Sequence, residues 1–314
     1  MDALAVVLDH PKQLSLQRLA LADRADGQLA VDIEWTAIST GTERLLFEGR
    51  MPAFPGMGYP LVPGYEAVGR VRACDAHSGF RKGERVFVPG AAGCFGEIRS
   101  LFGAAASHLV VPAKRVVAFD ERLGDQGALL ALAATAYHAL RPCGAALPDC
   151  IVGHGVLGRL LARLTVALDG APPVVWESNP DRANGAAGYT VIDPQSDARR
   201  DYRVICDVSG DSGLLDTLIA HLAPGGEIIL AGFYSAPLSF VFPPAFMREV
   251  RIRVAAEWRH DDLVAVRDLV ESGRLSLDGL ITHRDSATSA PGAYRVAFDD
   301  PACLKMILDW RMCA

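Results

Sequence analysis

From residue 3 to about 120 the apolar positions come in short runs, alternating or continuous, and each run ends at Gly, Pro or a charged turn: "ALAVVL", "LAVDIEWTAI", "EAVGRVRAC", "ERVFVPG" and "HLVVPA". Runs of this length with period-two stretches predict β-strands, and their crowding predicts a β-rich domain or partly open barrel. The pattern then lengthens. "DQGALLALAATAYHAL" predicts an apolar helix from about 125 to 140, and strand-helix alternation follows it. Alternation of that kind is the signature of a parallel sheet covered by helices on both faces.

The strand Cys150-Ile151-Val152 runs into "GHGVLG", after which Leu157, Leu160, Leu161, Leu164 and Leu168 recur at helical spacing. "PVVWES" supplies the next strand and ends in Glu177. "YRVICDVSG" and "GGEIILAGF" are further strands, separated by the helix "GLLDTLIAHL" with Pro224-Gly225-Gly226 as its stop. "DDLVAVRDLVESG" predicts an amphipathic helix closed by Gly273, and "CLKMILDW" returns to apolar spacing. The expected architecture is α/β, a β-rich domain over 1–122 and 256–314 and a doubly wound parallel-sheet domain over 123–255.

Composition narrows the partners. The formal charge is −6 over 314 residues, with Lys and Arg scattered rather than striped, which argues against nucleic acid and anionic membrane surfaces. No apolar run reaches membrane-spanning length and the start of the chain lacks a basic region followed by a long apolar core, so the expectation is a cytoplasmic protein without an integral membrane segment. Seven cysteines, none in CxxC spacing, predict buried thiols rather than disulfides or a paired-cysteine metal site.

The glycine turn predicts a dinucleotide site. Gly153 allows the tight turn, Gly155 lets the backbone approach a pyrophosphate, Gly158 permits close helix-strand packing, and the helix N-terminus offers free N–H groups at Val156 and Leu157. Glu177, 19 positions after Gly158, suits ribose hydroxyls and would repel a 2′-phosphate, which selects NAD over NADP. His154, inside the motif, is either a phosphate contact or a turn residue facing solvent.

Several motifs, "STGTE", "GYEAVGRV", "FRKGERV", "HLVVPA", "TAYHAL", "VGHGVLG", "LAPGGEIILAGF" and "LITHR", follow one another in the order and spacing of the medium-chain dehydrogenase/reductases, and the whole chain resembles that family. The resemblance implies a GroES-like catalytic domain with a Rossmann domain, and further cofactor contacts at Thr135, Ser209 and Gly232. It also exposes a departure. The family's three catalytic zinc ligands fall on Thr40, Tyr65 and Ala131, only the outer Glu66 is kept, and the cysteines of the structural zinc lobe are missing apart from Cys94. Three protein ligands of His, Cys or carboxylate type are needed around a catalytic zinc, so no metal is expected.

Hydroxyls must then do the work of the Lewis acid. Thr42 stands where the family's proton-relaying hydroxyl lies, and Thr42 with Tyr65 is expected to hold and deprotonate a substrate alcohol, with Glu66, Glu43 and His138 as candidate final acceptors. The segment from 44 to 66 gathers Phe47, Met51, Phe54, Met57 and Tyr59 with Arg44 and Arg50, as an apolar wall for a large flat ligand with a carboxylate at its edge or as a loop packed on its own domain.

The run "STGTERLLFEGRMPAFPGMGYPLVPGYEAVGRV" is similar to a zinc-lacking branch of the family that works in bacteriochlorophyll biosynthesis. That resemblance implies NAD-dependent oxidation of the 3-(1-hydroxyethyl) group of a chlorin, a (bacterio)chlorophyllide, to acetyl. The family likeness also implies a homodimer paired along strands near 226 to 242. The rival readings are a zinc-free quinone or enone reductase and a non-catalytic NAD-binding protein.

Overall fold

The computed structural model of the chain describes residues 2–53, 56–91, 93–100, 102–141 and 146–313. The chain divides into two compact units, Met1–Ala131 with Asp278–Ala314, and Leu132–Leu277.

In the first unit the predicted β runs are strands. Gln28–Ile38 is the longest and lies at the centre of a sheet. One edge of it pairs antiparallel with Ala67–Ala73; the other is shared by His108–Pro112 at its start and Met306–Asp309 at its end. Arg85–Val88 and Val117–Ala118 extend the sheet on one side and His283–Ser286 on the other, while Asp2–His10 and Gln13–Ala20 form a separate hairpin. The inward positions, among them Leu29, Val31, Val86, Leu109 and Leu308, are fully buried.

The register of three strands places the site. Thr36 lies opposite Ala67, and the Ala37 N–H donates to the Glu66 carbonyl at 2.9 Å, so Ser39 and Tyr65 leave the sheet at the same end. Met306 lies opposite Ile38, which delivers Lys305 to that end as well. The chain turns from there into the short helix Thr42–Glu48, closed by Gly49 in a left-handed conformation (φ 71°) whose N–H caps Leu45 and Leu46 carbonyls. Helix Ala290–Asp299 buries Ala290, Ala293, Tyr294, Ala297 and Phe298, one face at three- and four-residue spacing.

The second unit is a six-stranded parallel sheet in the order 190–192, 174–176, 150–152, 202–207, 222–230 and 251–254. This is the doubly wound order expected of a dinucleotide domain. Helix Val156–Ala167 follows strand Cys150–Val152, as predicted.

Several expectations are corrected. Helix His260–Glu271 belongs to the second unit, so the boundary falls after Leu277 rather than 255. Asp262 is tied there to His138 and Arg141, and the Ser276 carbonyl accepts from Arg163. Residues Glu121–Leu129 form a 3-10 segment kinked at Gly124 (φ 51°, ψ −127°), and the α-helix begins only at Leu130. Pro224-Gly225-Gly226 does not stop a helix: the helix ends at His221, the strand starts at Leu222, and these residues make an irregularity within it. That strand is paired on both sides, so the edge on this side of the sheet is Arg251–Val254, not the stretch near 226 to 242.

Candidate active site and cofactor site

At the shared end of the three strands lies a two-layer cluster. The outer layer is hydroxyls. Tyr65, half-buried, packs edge-on against Phe102 and donates to the Ser39 hydroxyl at 2.6 Å; the Thr42 hydroxyl interacts with the same phenol. Burial, with the negative charge of Glu66 behind it, pushes the Tyr65 phenol far above its ordinary pKa. Tyr65 therefore rests protonated, as a hydrogen-bond donor to Ser39.

The inner layer is ionisable. Lys305 Nζ donates to both oxygens of Glu66, at 3.0 and 2.8 Å, and the two side chains are 1% and 0% exposed. Glu43, equally enclosed, accepts from the Ser39 N–H at 3.0 Å and from the Tyr294 hydroxyl at 2.7 Å. Burial, opposed by these two hydrogen bonds, raises the Glu43 carboxyl to about 7.

The donor set does not fit a zinc ion. Ala131 offers a buried methyl, the Tyr65 hydroxyl is committed to Ser39, and an ammonium already sits on the Glu66 carboxylate. Among the described residues no cluster of three His, Cys, Asp or Glu is arranged to hold a metal.

The other expected residues have the following partners. His138 Nδ1 lies 2.7 Å from Asp262, whose second oxygen takes Arg141 at 2.9 Å, so this histidine serves helix-helix packing in the second unit. Arg44 and Arg50 both pair with Glu48, at 2.8 and 2.9 Å, and remain exposed. Phe47 stacks on Phe298 at 5.4 Å, Tyr59 donates to the Leu46 carbonyl, and Met57 and Tyr59 pack against Leu8, Leu46, Met51 and Leu61. Phe54 lies outside the described residues.

The cofactor residues gather at the carboxyl ends of the parallel strands. Gly153 adopts φ 102°, and Gly155 caps helix Val156–Ala167 without any side-chain cap, leaving the N–H groups of Val156, Leu157 and Gly158 to a ligand. A Cβ on Gly158 would stand 1.8 Å from the Gly153 carbonyl oxygen. The Glu177 carboxylate is oriented by the N–H groups of His154 at 3.1 Å and Asn179 at 2.8 Å. Gly232 follows the strand 222–230, where a Cβ would press on Val208 at 3.2 Å, and exposed Ser209 follows 202–207. Thr135 is half-buried on helix Leu130–Leu140. This cradle fits a dinucleotide.

His154 is neither a phosphate contact nor solvent-facing. It is fully buried, its Nδ1 donating to the Arg182 carbonyl at 2.6 Å and its Nε2 accepting from Tyr189 at 2.8 Å, while burial lowers its pKa and keeps it neutral. Buried Arg159 donates to the carbonyls of His154, Arg182, Asn184 and Gly185. Together they staple the segment after Glu177 to the glycine turn.

Comparison with known proteins gives the same picture. Residues 25–121 match the alcohol dehydrogenase GroES-like domain. Over 312 residues the chain is 57% identical to the 2-desacetyl-2-hydroxyethyl bacteriochlorophyllide A dehydrogenase of Rhodobacter capsulatus, covering 99% of each chain. It is 58% identical to the protein of that name from Cereibacter sphaeroides, covering all of both. The chain belongs to this dehydrogenase family. The fold is that of the wider medium-chain alcohol dehydrogenases: L-idonate 5-dehydrogenase of Escherichia coli superposes with a TM-score of 0.85 over 98% of each chain at 19% identity. Bacteriochlorophyllide dehydrogenases of this family are oxidoreductases acting on CH–OH groups.

Ser39, Tyr294 and Lys305 were not among the expected site residues. One sequence signal pointed to Lys305, a single charge inside the apolar run "CLKMIL". Lys305→Met leaves Glu66 enclosed without its cation, and breaking a buried pair on one side costs about 3–5 kcal/mol. Denaturant unfolding is expected to show a loss of that size, most of it recovered in the double variant Lys305→Met/Glu66→Leu.

Proposed function

We propose that the protein oxidises the 3-(1-hydroxyethyl) group of a (bacterio)chlorophyllide to 3-acetyl with NAD, in the cytoplasm, as a step of bacteriochlorophyll a biosynthesis, and that it does so without catalytic zinc. The observation that carries this is the hydroxyl layer of Tyr65, Ser39 and Thr42, standing where the metal would lie in a chain related over its full length to dehydrogenases of that name. Such an alcohol needs less help than an alkanol, because its developing carbonyl joins the macrocycle's π system. Hydrogen-bond donors suffice to orient its oxygen and stabilise charge on it.

NAD, when bound, supplies the hydride acceptor. Gly153, Gly155, Val156, Leu157 and Gly158 would hold its pyrophosphate, Glu177 its adenosine ribose, and Thr135, Ser209 and Gly232 the remainder. Tyr65 and Thr42 bind the substrate oxygen and fix the carbinol carbon. Phe47, Met57 and Tyr59 stiffen the 44–60 loop along which the macrocycle approaches, and Arg44 and Arg50 meet its carboxylate in exchange for Glu48.

The protein acts as a homodimer through the second unit. Beside the edge strand Arg251–Val254, whose Val254 is 73% exposed, Phe242, Phe246 and Met247 are 65 to 76% exposed around a cavity of about 440 Å³. An open strand edge next to an apolar patch of this kind is a self-association surface.

Three outcomes are expected. Chelator-treated protein given 3-(1-hydroxyethyl)bacteriochlorophyllide a and NAD shifts the long-wavelength absorption band to the red, and NADP replaces NAD poorly; NAD binding without any shift would instead indicate a non-catalytic protein. Tyr65→Phe and Thr42→Val each lower kcat by roughly tenfold to a hundredfold while NADH binding, read by fluorescence, is unchanged; full turnover in both would remove the hydroxyls from the mechanism. Val254→Arg together with Phe246→Glu converts the dimer to monomer in sedimentation velocity, and a wild-type monomer at micromolar concentration would refute the assembly.

A further inference from the structure

Three ionisable groups are enclosed together behind the Tyr65 and Thr42 hydroxyls, and their charges do not cancel. Lys305 and Glu66 satisfy each other through two hydrogen bonds. Glu43 is the odd carboxyl. Its oxygens take the Ser39 N–H and the Tyr294 hydroxyl, neither of them a cation, and it is 1% exposed. The groups that face it are Tyr294 from helix Ala290–Asp299, Tyr65 and Glu66 from the turn before Ala67–Ala73, and Lys305 from the start of Met306–Asp309. Burial raises it, Glu66 raises it further, and the two hydrogen bonds and Lys305 hold it down, leaving it at about 7. Ser39 lies between Glu43 and the outer layer: its hydroxyl accepts from Tyr65 at 2.6 Å and its amide touches Glu43 Oε1 at 3.0 Å.

We propose that Glu43 is the terminal acceptor of the substrate's hydroxyl proton, reached through the Tyr65 and Ser39 hydroxyls, and that Tyr294 sets how strongly it holds that proton. This rests on the oxidation proposed above. As the carbinol carbon gives up hydride to an oxidised nicotinamide, the alcohol O–H bond breaks and its proton goes to the Tyr65 oxygen. The Tyr65 proton moves along its hydrogen bond to Ser39, and the Ser39 hydroxyl, within one side-chain rotation of the oxygen its own amide touches, passes its proton to Glu43. The products are the acetyl group, reduced nicotinamide and a neutral Glu43; each hydroxyl again carries one proton. Glu66 cannot serve, since protonating it would strand Lys305 without a counterion.

The acceptor must be ionised before it can act, so oxidation by the wild type is expected to rise with pH through about 7. Tyr294→Phe deletes a hydrogen bond that stabilises the carboxylate and is expected to move this limb to higher pH with the plateau kept. Ser39→Ala interrupts the path and lowers the plateau. Glu43→Gln removes the limb and lowers the rate at pH 8 roughly a hundredfold.

A second readout needs neither substrate nor cofactor. A carboxyl raised from 4.5 to about 7 on folding imposes a penalty that is absent below 4.5 and complete above 7. The Tm of Glu43→Gln relative to wild type is therefore expected to climb as the pH rises through that window. A flat Tm difference, or a limb unmoved in both Tyr294→Phe and Glu43→Gln, overturns the assignment of Glu43 alone. Failure of the wild type to oxidise the chlorin at any pH overturns the reaction and the acceptor role with it.

Discussion

Taking an ammonium and a carboxylate out of water costs several kcal/mol each, and only close pairing returns it. The enclosed pair of Lys305 and Glu66 is thus a condition that the first unit must meet, and its backbone is arranged to meet it. Glu66 enters at the start of one strand and Lys305 at the start of another, and both pair with the end of Gln28–Ile38. A slip of one residue in either register would turn one of the two side chains to the opposite face. The same registers bring Ser39 and Tyr65 within hydrogen-bond reach, so the geometry of the hydroxyl layer follows from that of the ion pair.

That pair also explains how a dehydrogenase pocket can do without its metal. In a zinc enzyme the ion supplies both positive charge and a ligand position for the alcohol oxygen. Here the two duties are separated. Positive charge lies on Lys305, which is enclosed and spent on Glu66; the outer layer is made of neutral hydroxyls, among them the Tyr65 phenol, whose proton is hard to remove. A site built this way gives orientation and hydrogen bonds but little polarisation, and it suits an alcohol whose oxidation is already assisted by conjugation.

The sequence showed the frame better than the contacts. Strand runs in the first unit and the glycine turn before helix Val156–Ala167 are local patterns, each carried by a few neighbouring residues, and the elements lie where those patterns placed them. Tyr294 and Lys305 are separated from Glu43 and Glu66 by more than two hundred positions. Their pairing depends on the chain's return to the first unit after the whole second unit, which no local pattern records. His138 and Arg44 were legible as chemistry but not as contacts: the partners they meet in the fold, Asp262 and Glu48, are not marked by any motif.

The glycine motif makes the same point within the second unit. Its glycines are read correctly from the chain because each answers a backbone requirement: a left-handed turn at Gly153, an uncapped helix start at Gly155, a contact with no room for a Cβ at Gly158. The residues between and after them answer to a segment almost thirty positions away. Neutral His154 and buried Arg159 spend their hydrogen bonds on carbonyls from 182 to 185, and the His154 N–H also aims the Glu177 carboxylate. The Glu177 carboxylate, fixed by the backbone N–H groups of His154 and Asn179, is thus held at the end of its strand by the same staple that anchors the glycine turn.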